Sequence, residues 1–259
     1  MKNFYISKGL YPRSYFSLSA EYIASVQLAS GAIPWFAQGL LDPWDHIEAA
    51  MGLSVAGRHR EARLAYAWAR NIQESDGSFW PAYADCTPLD TSRKESHHAA
   101  YLATGIWHDF LIHRDVAFVQ RFWPSVQAGL DFALGLQTPG GEVAWALLED
   151  GSAYPDALVT GCSSIYKSLE CGIGLGRVLG LEQSGWVDAR RRLGRAIREA
   201  PDRFDRTWPS KERYSMDWFY PVLAGVYRGP AARARLSGKW DVFVRPYLGC
   251  CCVSDEPWV

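Results

Sequence analysis

The chain has 259 residues, 48% apolar and 21% charged, the balance of an ordinary globular protein and not of a disordered or collagen-like one. Its net charge of −1 supplies no basic face for nucleic acid or an anionic membrane. No run approaches the roughly 18 apolar residues of a membrane helix, and residues 1–10 lack the apolar centre of a signal peptide. The cysteines Cys86, Cys162, Cys171 and Cys250–Cys252 follow neither zinc-ligand nor disulfide-scaffold spacing, so the expectation is a reduced cytoplasmic protein.

Helical periodicity runs the whole length. The first helix, 17–28, leads into Gln27-Leu28-Ala29-Ser30-Gly31-Ala32-Ile33-Pro34-Trp35. The next, 43–56, is apolar nearly all round and opens on Asp42-Pro43-Trp44-Asp45-His46-Ile47-Glu48. The helix over 58–73 puts Ala62, Ala65, Tyr66 and Ala69 on one face and most of its charge off it. It runs into a second strap, Gln73 to Trp80 with Gly77 between. Helix 95–112 opens on His97 and His98. Helix 115–137 ends on a third strap, Gln137, Gly141 and Trp145. Helix 161–180 opens near Ser163, Ser164 and Tyr166, and its Gly172-Ile173-Gly174-Leu175-Gly176 run suits close helix packing. Helices 185–200, 215–227 and 231–246 follow, the middle one opening on Asp217-Trp218. Gly57, Gly180 and Gly229 stand where helix C-terminal caps belong.

One-sided outer helices thus alternate with buried inner ones, with a Gly/Trp/Pro-rich strap before each inner helix. Self-similarity at this period means an array of helical hairpins. The fold class expected is all-α, an (α/α) toroid with about 4.5 hairpins, in a single domain over 1–259. Glu256-Pro257-Trp258 echoes Asp42-Pro43-Trp44, so the array is expected to stop within a repeat, short of a full (α/α)6 barrel. The unpaired fifth outer helix would expose apolar surface that a homodimer could cover.

The Gln-x3-Gly-x2–3-Trp straps resemble the QW repeats of the terpenoid-cyclase and protein-prenyltransferase toroids, and the chain is similar to actinobacterial proteins labelled prenyltransferase. Its alternation of helices is equally similar to the six-hairpin (α/α)6 glycosidases. The prenyl resemblance would imply Asp-x-Asp-Asp, Asp-Asp-x-x-Asp or a zinc set; neither acidic string occurs, and no spacing supports joining Cys252 and Asp255 with His97 or His98 into a metal site. Neither a phosphate-binding loop nor a dinucleotide fingerprint is present, so no cofactor and no metal are expected.

The chemistry is expected among acids at the inner-helix starts. Asp42, Asp45 and Glu48 stand three apart and share a stripe. Asp42 fits an N-cap, whereas Asp45 and Glu48 continue into an apolar helix where a carboxylate is costly without a role. Asp217, Asp255 and Glu256 hold equivalent places on the far side of the cup, with capping as the alternative for Asp217 and Asp255. Two carboxylates across a cleft are what glycosidic hydrolysis needs. The N-terminal dipole favours Asp45 or Asp42 as base; an acid near Trp218 or Trp258 would be the proton donor. The catalytic candidates are therefore Asp45, Asp42, Asp217, Asp255 and Glu256. Trp44, His46, Glu48, Tyr83, His97, Tyr166, Trp218, Tyr220 and Trp258 are candidates for binding a carbohydrate or another small molecule in a central cleft. Trp35, Trp80 and Trp145 are expected to glue neighbouring hairpins together. An inverting outcome is what the glycosidase resemblance implies; a terpenoid- or prenyl-binding toroid and a non-catalytic one are the alternatives.

Overall fold

A computed structural model describes residues 14–207, 213–246 and 248–255. The outer helices are α1 (Ser14–Val26), α3 (His59–Ile72), α5 (Val116–Gly135), α7 (Ser184–Glu199) and α9 (Gly229–Gly238). The inner helices are α2 (Pro43–Val55), α4 (Ser96–His113), α6 (Val159–Val178) and α8 (Ser215–Leu223). Each inner helix packs on the next, α2 on α4, α4 on α6 and α6 on α8, and each is backed by the outer helix that follows it, α2 by α3, α4 by α5, α6 by α7 and α8 by α9. The expected toroid wall and jacket are therefore present, arranged as an arc of four hairpins followed by α9. No helix among the described residues is long and apolar enough to cross a membrane.

Why the helices fall where they do is local. Asp42 has extended backbone and its carboxylate accepts the amides of Trp44 and Asp45, while Pro43 occupies the first helical position, so α2 starts there. Gly57 and Gly180, at φ +83° and +73°, follow the ends of α2 and α6 as expected. Gly229 does not cap α8. That helix stops at Leu223, Gly225 at φ +80° takes the left-handed turn, and Gly229 opens α9. The last outer helix is also shorter than expected: it ends at Gly238 and gives way to a single turn, α10 (Trp240–Phe243), and a hairpin of β5 (Val244–Arg245) and β6 (Gly249–Cys250).

Short antiparallel pairs occupy the straps. β1 (Ala82–Ala84) pairs with β2 (Thr87–Asp90), and β3 (Arg93–Glu95) pairs with β4 (Ala146–Leu148). The second pairing carries the third strap across to the start of α4, where the backbone N–H of Ser96 donates to Trp145 O at 2.9 Å.

The Gln-Gly repeat is a joint, and it is made the same way three times. Gln27 Nε2 donates to Gly31 O at 3.1 Å and to Glu61 O, on the next outer helix, at 2.9 Å. Gln73 does so to Gly77 O and Ser125 O at 2.9 and 3.0 Å, and Gln137 to Gly141 O and Ala189 O at 2.9 and 3.0 Å. The three glycines have φ between +87° and +103°. A Cβ on any of them would strike the backbone of the neighbouring outer helix, at Leu64 O, Ala128 O or Arg192 O, from 2.2 to 2.7 Å. Glycine is therefore needed twice over, for the backbone conformation and for the approach.

One apolar core runs through the hairpins, with Tyr66, Trp68, Phe79, Phe122 and Leu130 fully enclosed. Each such side chain contributes about 1.5–3 kcal/mol on burial. The glycine run of α6 serves packing as expected: a Cβ on Gly172 would stand 2.4 Å from Leu130 and 3.2 Å from Trp186. A second, small cluster of Trp218, Phe243 and Cys251 ties α8 to the C-terminal corner.

Candidate active site

The straps and the starts of the inner helices share one rim, and four carboxylates converge there. Asp42 caps α2 with Oδ1, at 2.8 Å from Trp44 N and 2.9 Å from Asp45 N, and accepts the Trp35 indole N–H on Oδ2 at 3.0 Å. Asp45, one turn on, opens into the cup, yet the protein around it desolvates its carboxyl. That desolvation, the Asp42 charge and hydrogen bond, and the Glu48 charge push it up to about 7, against a hydrogen bond from Trp35 that pulls it down. The helix N-terminus, expected to favour Asp45 or Asp42 as base, is thus outweighed at Asp45 by burial and the neighbouring acids.

Glu48 lies one further turn into the cup. Its Oε1 accepts the Trp44 indole N–H at 2.7 Å and the Tyr101 hydroxyl at 2.8 Å. The Tyr220 hydroxyl, from α8, lies 3.5 Å from that of Tyr101. The Trp44 ring is 4.8 Å from His97, 5.2 Å from Tyr101 and 5.4 Å from Tyr220. Helices α2, α4 and α8 thus meet in an aromatic floor beneath the acids. Burial raises the Tyr101 hydroxyl far above its ordinary range and that of Tyr220 to about 12, so both stay protonated and act as donors.

The fourth acid, Glu95, was not among the expected candidates. It precedes α4, is 6% exposed, and is held by Arg93 at 2.9 Å and by the Trp145 indole N–H at 3.2 Å. Burial would raise its carboxyl, but His98, His97 and Arg93 outweigh burial and keep it below the usual range. His98 Nε2 lies 3.6 Å from Glu95 Oε2 and 3.9 Å from Asp42 Oδ1, which places His98 between the two carboxylates. His97 is pushed down to about 3, first by burial and then by His98, and is neutral. The signal available in the sequence was Arg93-x-Glu95-x-His97-His98 at an inner-helix start, a buried acid between an arginine and two imidazoles.

Glu95, His97 and His98 bring three ligand atoms within 4.8 Å of one another. A metal ion could use such a set, but metal-bound imidazoles hand their other ring N–H to an acceptor. The Nδ1 atoms of both histidines are buried without a hydrogen-bond partner, and Glu95 is already engaged by Arg93 and Trp145. The set fits the orientation of His98 better than it fits a metal.

Of the other expected residues, Asp217 sits at the rim, with its Oδ1 accepting the Thr160 hydroxyl from the start of α6 at 2.5 Å. Asp255 is well exposed and paired with Arg213 at 3.2 Å. Glu256 and Trp258 lie outside the described residues. Four of the binding candidates turn away from the cup. His46 is buried between α2 and α3, where Nδ1 accepts Ile33 N–H at 3.2 Å and Nε2 donates to Ala65 O at 2.9 Å. Both ring nitrogens are spent on backbone, and burial lowers the ring to about 4. Tyr83 is in the core, its hydroxyl accepting Trp80 N–H at 2.8 Å. Tyr166 faces α7, with the Arg190 guanidinium 3.9 Å over its ring. Trp218 donates to Arg235 O at 2.8 Å and stacks on Phe243 in the C-terminal cluster. An inner helix shows only part of its circumference to the cup, and the sequence did not say which part.

The fold is shared with sugar-active enzymes. A sugar epimerase from a ruminal bacterium superposes with a TM-score of 0.73 at 12% identity, covering 95% of this chain and 74% of that one. A D-mannose isomerase gives 0.63 at 9%, covering 93% and 74%. The GH78 family rhamnosidase of Bacillus sp. GL1 gives 0.63 at 12%, covering 87% and 26%. At these identities the likeness defines the architecture, an (α/α) toroid of the kind found in glycosidases and sugar isomerases. No prenyl enzyme is among these three, so the prenyltransferase resemblance of the straps gains no support from them. In sequence, the chain is 47% identical over 241 residues to an MMP endo-(1,4)-3-O-methyl-alpha-D-mannosidase of Mycolicibacterium hassiacum. That alignment takes in 93% of this chain and 66% of the relative, so the chain spans just under two thirds of the relative's length. No protein-family model matches the sequence.

Proposed function

We propose that the cup is the active site of a glycoside hydrolase that cleaves α-mannosidic links within a saccharide, on a 3-O-methylated mannose chain, by a two-carboxylate mechanism. The observation that carries this reading is Asp45, an acid raised to about 7 that opens into a cup floored by Trp44, Tyr101 and Tyr220. A carboxyl that still holds its proton near neutrality can deliver it to the leaving glycosidic oxygen. Asp217, across the rim on α8, is the carboxylate assigned to activate water, and inversion is the outcome assigned to the pair; inverting enzymes hold their two carboxyls about 6.5–9.5 Å apart. The substrate class follows the M. hassiacum relative.

The test is hydrolysis of 3-O-methylated α-(1,4)-manno-oligosaccharides by the full chain, with products sized by mass spectrometry and their anomers followed by NMR. Asp45→Asn is expected to lower kcat by at least 100-fold. In the wild type, kcat/KM should fall as pH rises through about 7, because the donor must be protonated. Full activity in Asp45→Asn would remove Asp45 from the mechanism, and absence of any hydrolysis by the wild type would end the glycosidase reading. A prenyl-binding toroid would instead need an apolar cup, and Asp42, Asp45, Glu48 and Glu95 at its mouth weigh against that.

A further inference from the structure

We propose that the groove between α6, α7 and the turn from α8 to α9 binds a phosphate group, free or carried on a sugar. The site is separate from the cup and stands whether or not the cup hydrolyses a saccharide. The groove is a cavity of about 570 Å³ lined by Tyr166 and Glu170 of α6, Arg190 and Arg198 of α7, and Gly225 and Arg228 of the turn. Lys167 joins them through Glu170, with Nζ 2.7 Å from Oε1. Four cationic side chains thus face one carboxylate, in a chain whose net charge is −1.

Glu170 does not answer them all. Its Oε1 takes Lys167, and its Oε2 is shared by Arg190 and, at 3.5 Å, by Arg228. Burial would raise its carboxyl, but Lys167, Arg190 and Arg228 outweigh burial and hold it below the usual range. Donors are left over. Arg190 gives Nε to Tyr166 O at 3.1 Å and Nη2 to Glu170, and Arg228 gives Nε to Gly225 O at 3.1 Å and Nη2 to Glu170. The Nη1 of each donates to no group among the described residues. Arg198 has one partner among them, Val226 O at 3.5 Å from Nη1.

The guanidinium groups are seated. That of Arg190 stands 3.9 Å over the Tyr166 ring. Two glycines leave room for the others. A Cβ on Gly194 would stand 2.6 Å from the Tyr166 ring and 3.2 Å from Arg198 Nη1, and one on Gly225 would stand 3.1 Å from Arg228 Nη2. Guanidinium forks match phosphate oxygens two at a time. Four cations against one carboxylate leave an excess that a phosphate, at about −1.5 to −2 near neutrality, answers better than a single carboxylate.

The place of the groove in the fold gives the ligand a role. The chain has no glutamine after Gln183, so the joint made three times earlier is not repeated after α7. There the last hairpin is held by the Tyr227 hydroxyl, which donates to Ile197 O at 3.3 Å, and by Arg198. A phosphate between Arg198 and Arg228 would tie α7 to the turn that ends α8.

The test is thermal melting of the full chain in inorganic phosphate and in glucose 6-phosphate, each against sodium chloride of equal ionic strength. Each ligand should raise Tm saturably, by about 3 °C at ten times its Kd, and chloride should not. The tighter of the two tells whether the group arrives free or on a sugar. Arg198→Gln/Arg228→Gln should weaken binding at least tenfold. Arg191→Gln/Arg195→Gln removes the same charge from exposed positions of α7 outside the groove and should keep the shift. With ligand bound, hydrogen exchange should slow over 190–198 and 221–229. The proposal is overturned if neither ligand gives a saturable shift, if chloride reproduces it, if both double variants lose it alike, or if the protection falls on the cup instead.

Discussion

Two consecutive side chains of α2, Asp45 and His46, have unlike surroundings. Asp45 shows how neighbouring carboxylates and partial burial overcome a helix dipole worth about 0.3–1 kcal/mol. His46 shows a buried imidazole kept neutral by desolvation, against the Ala65 carbonyl, whose hydrogen bond favours the charged ring. That burial has a measurable consequence. With its folded-state value lowered to about 4 from an ordinary 6.5, His46 contributes stability that is fully present above pH 6.5. The contribution is lost as pH falls from 6.5 toward 4, because the unfolded chain takes up the proton first. Urea titrations of the wild type should therefore show stability declining across that window, and His46→Gln should flatten the slope by up to about 1.4 kcal/mol per pH unit. An identical slope in the variant would contradict the assignment.

At the scale of the element, the strap is the unit that carries both architecture and site. Its glycine is the most sensitive position. Gly77→Ala would drive a Cβ to 2.2 Å from Ala128 O at φ +87°, and a loss of more than about 3 kcal/mol is expected. Gly57→Ala, with a similar φ of +83° but nothing within 4 Å, should cost only about 1 kcal/mol. Chemical denaturation of the two variants separates conformational strain from collision, and equal losses would refute the joint. The hairpins and the joints were legible in the sequence because periodicity and Gln-Gly spacing are local patterns. So were Asp42 and Asp45, since a cap and an acid in an apolar helix stand out. The facing of His46, Tyr166 and Trp218 was not legible, because an inner helix is apolar on every side. Glu95 was missed because Trp145, which holds it together with the neighbouring Arg93, reaches it only through the pairing of β3 with β4. The strap tryptophans divide where a single role as glue was expected: Trp80 packs against the core, whereas Trp35 and Trp145 each hold a carboxylate of the cup.

Across the whole molecule, the packing is uneven. The main core runs through four hairpins, whereas the C-terminal corner rests on Trp218, Phe243 and Cys251. Phe243 is fully buried there, and Phe243→Ala should cost about 3–5 kcal/mol locally. Hydrogen exchange is expected to accelerate over 229–255 while α2–α5 keep their protection, because the two clusters are separate. Uniform acceleration along the chain would show one cooperative unit instead. Trp218 belongs to the same helix as Asp217 and Tyr220, so loosening the corner should also weaken the far wall of the cup.

The glutamine joints carry a consequence for how the protein is made. Each links a strap to a helix that follows it in the chain, across 34 residues at Gln27 and 52 at Gln73 and Gln137. No joint waits for a distant terminus. As the polypeptide leaves the ribosome, a joint can close once the next outer helix has emerged, and domains fold as units during synthesis from the N-terminal end. The acid-bearing first strap would then be locked in place while the last helices are still being translated. Order of synthesis would be order of assembly, and protease protection of stalled nascent chains should appear in three steps, as α3, then α5, then α7 clear the exit tunnel.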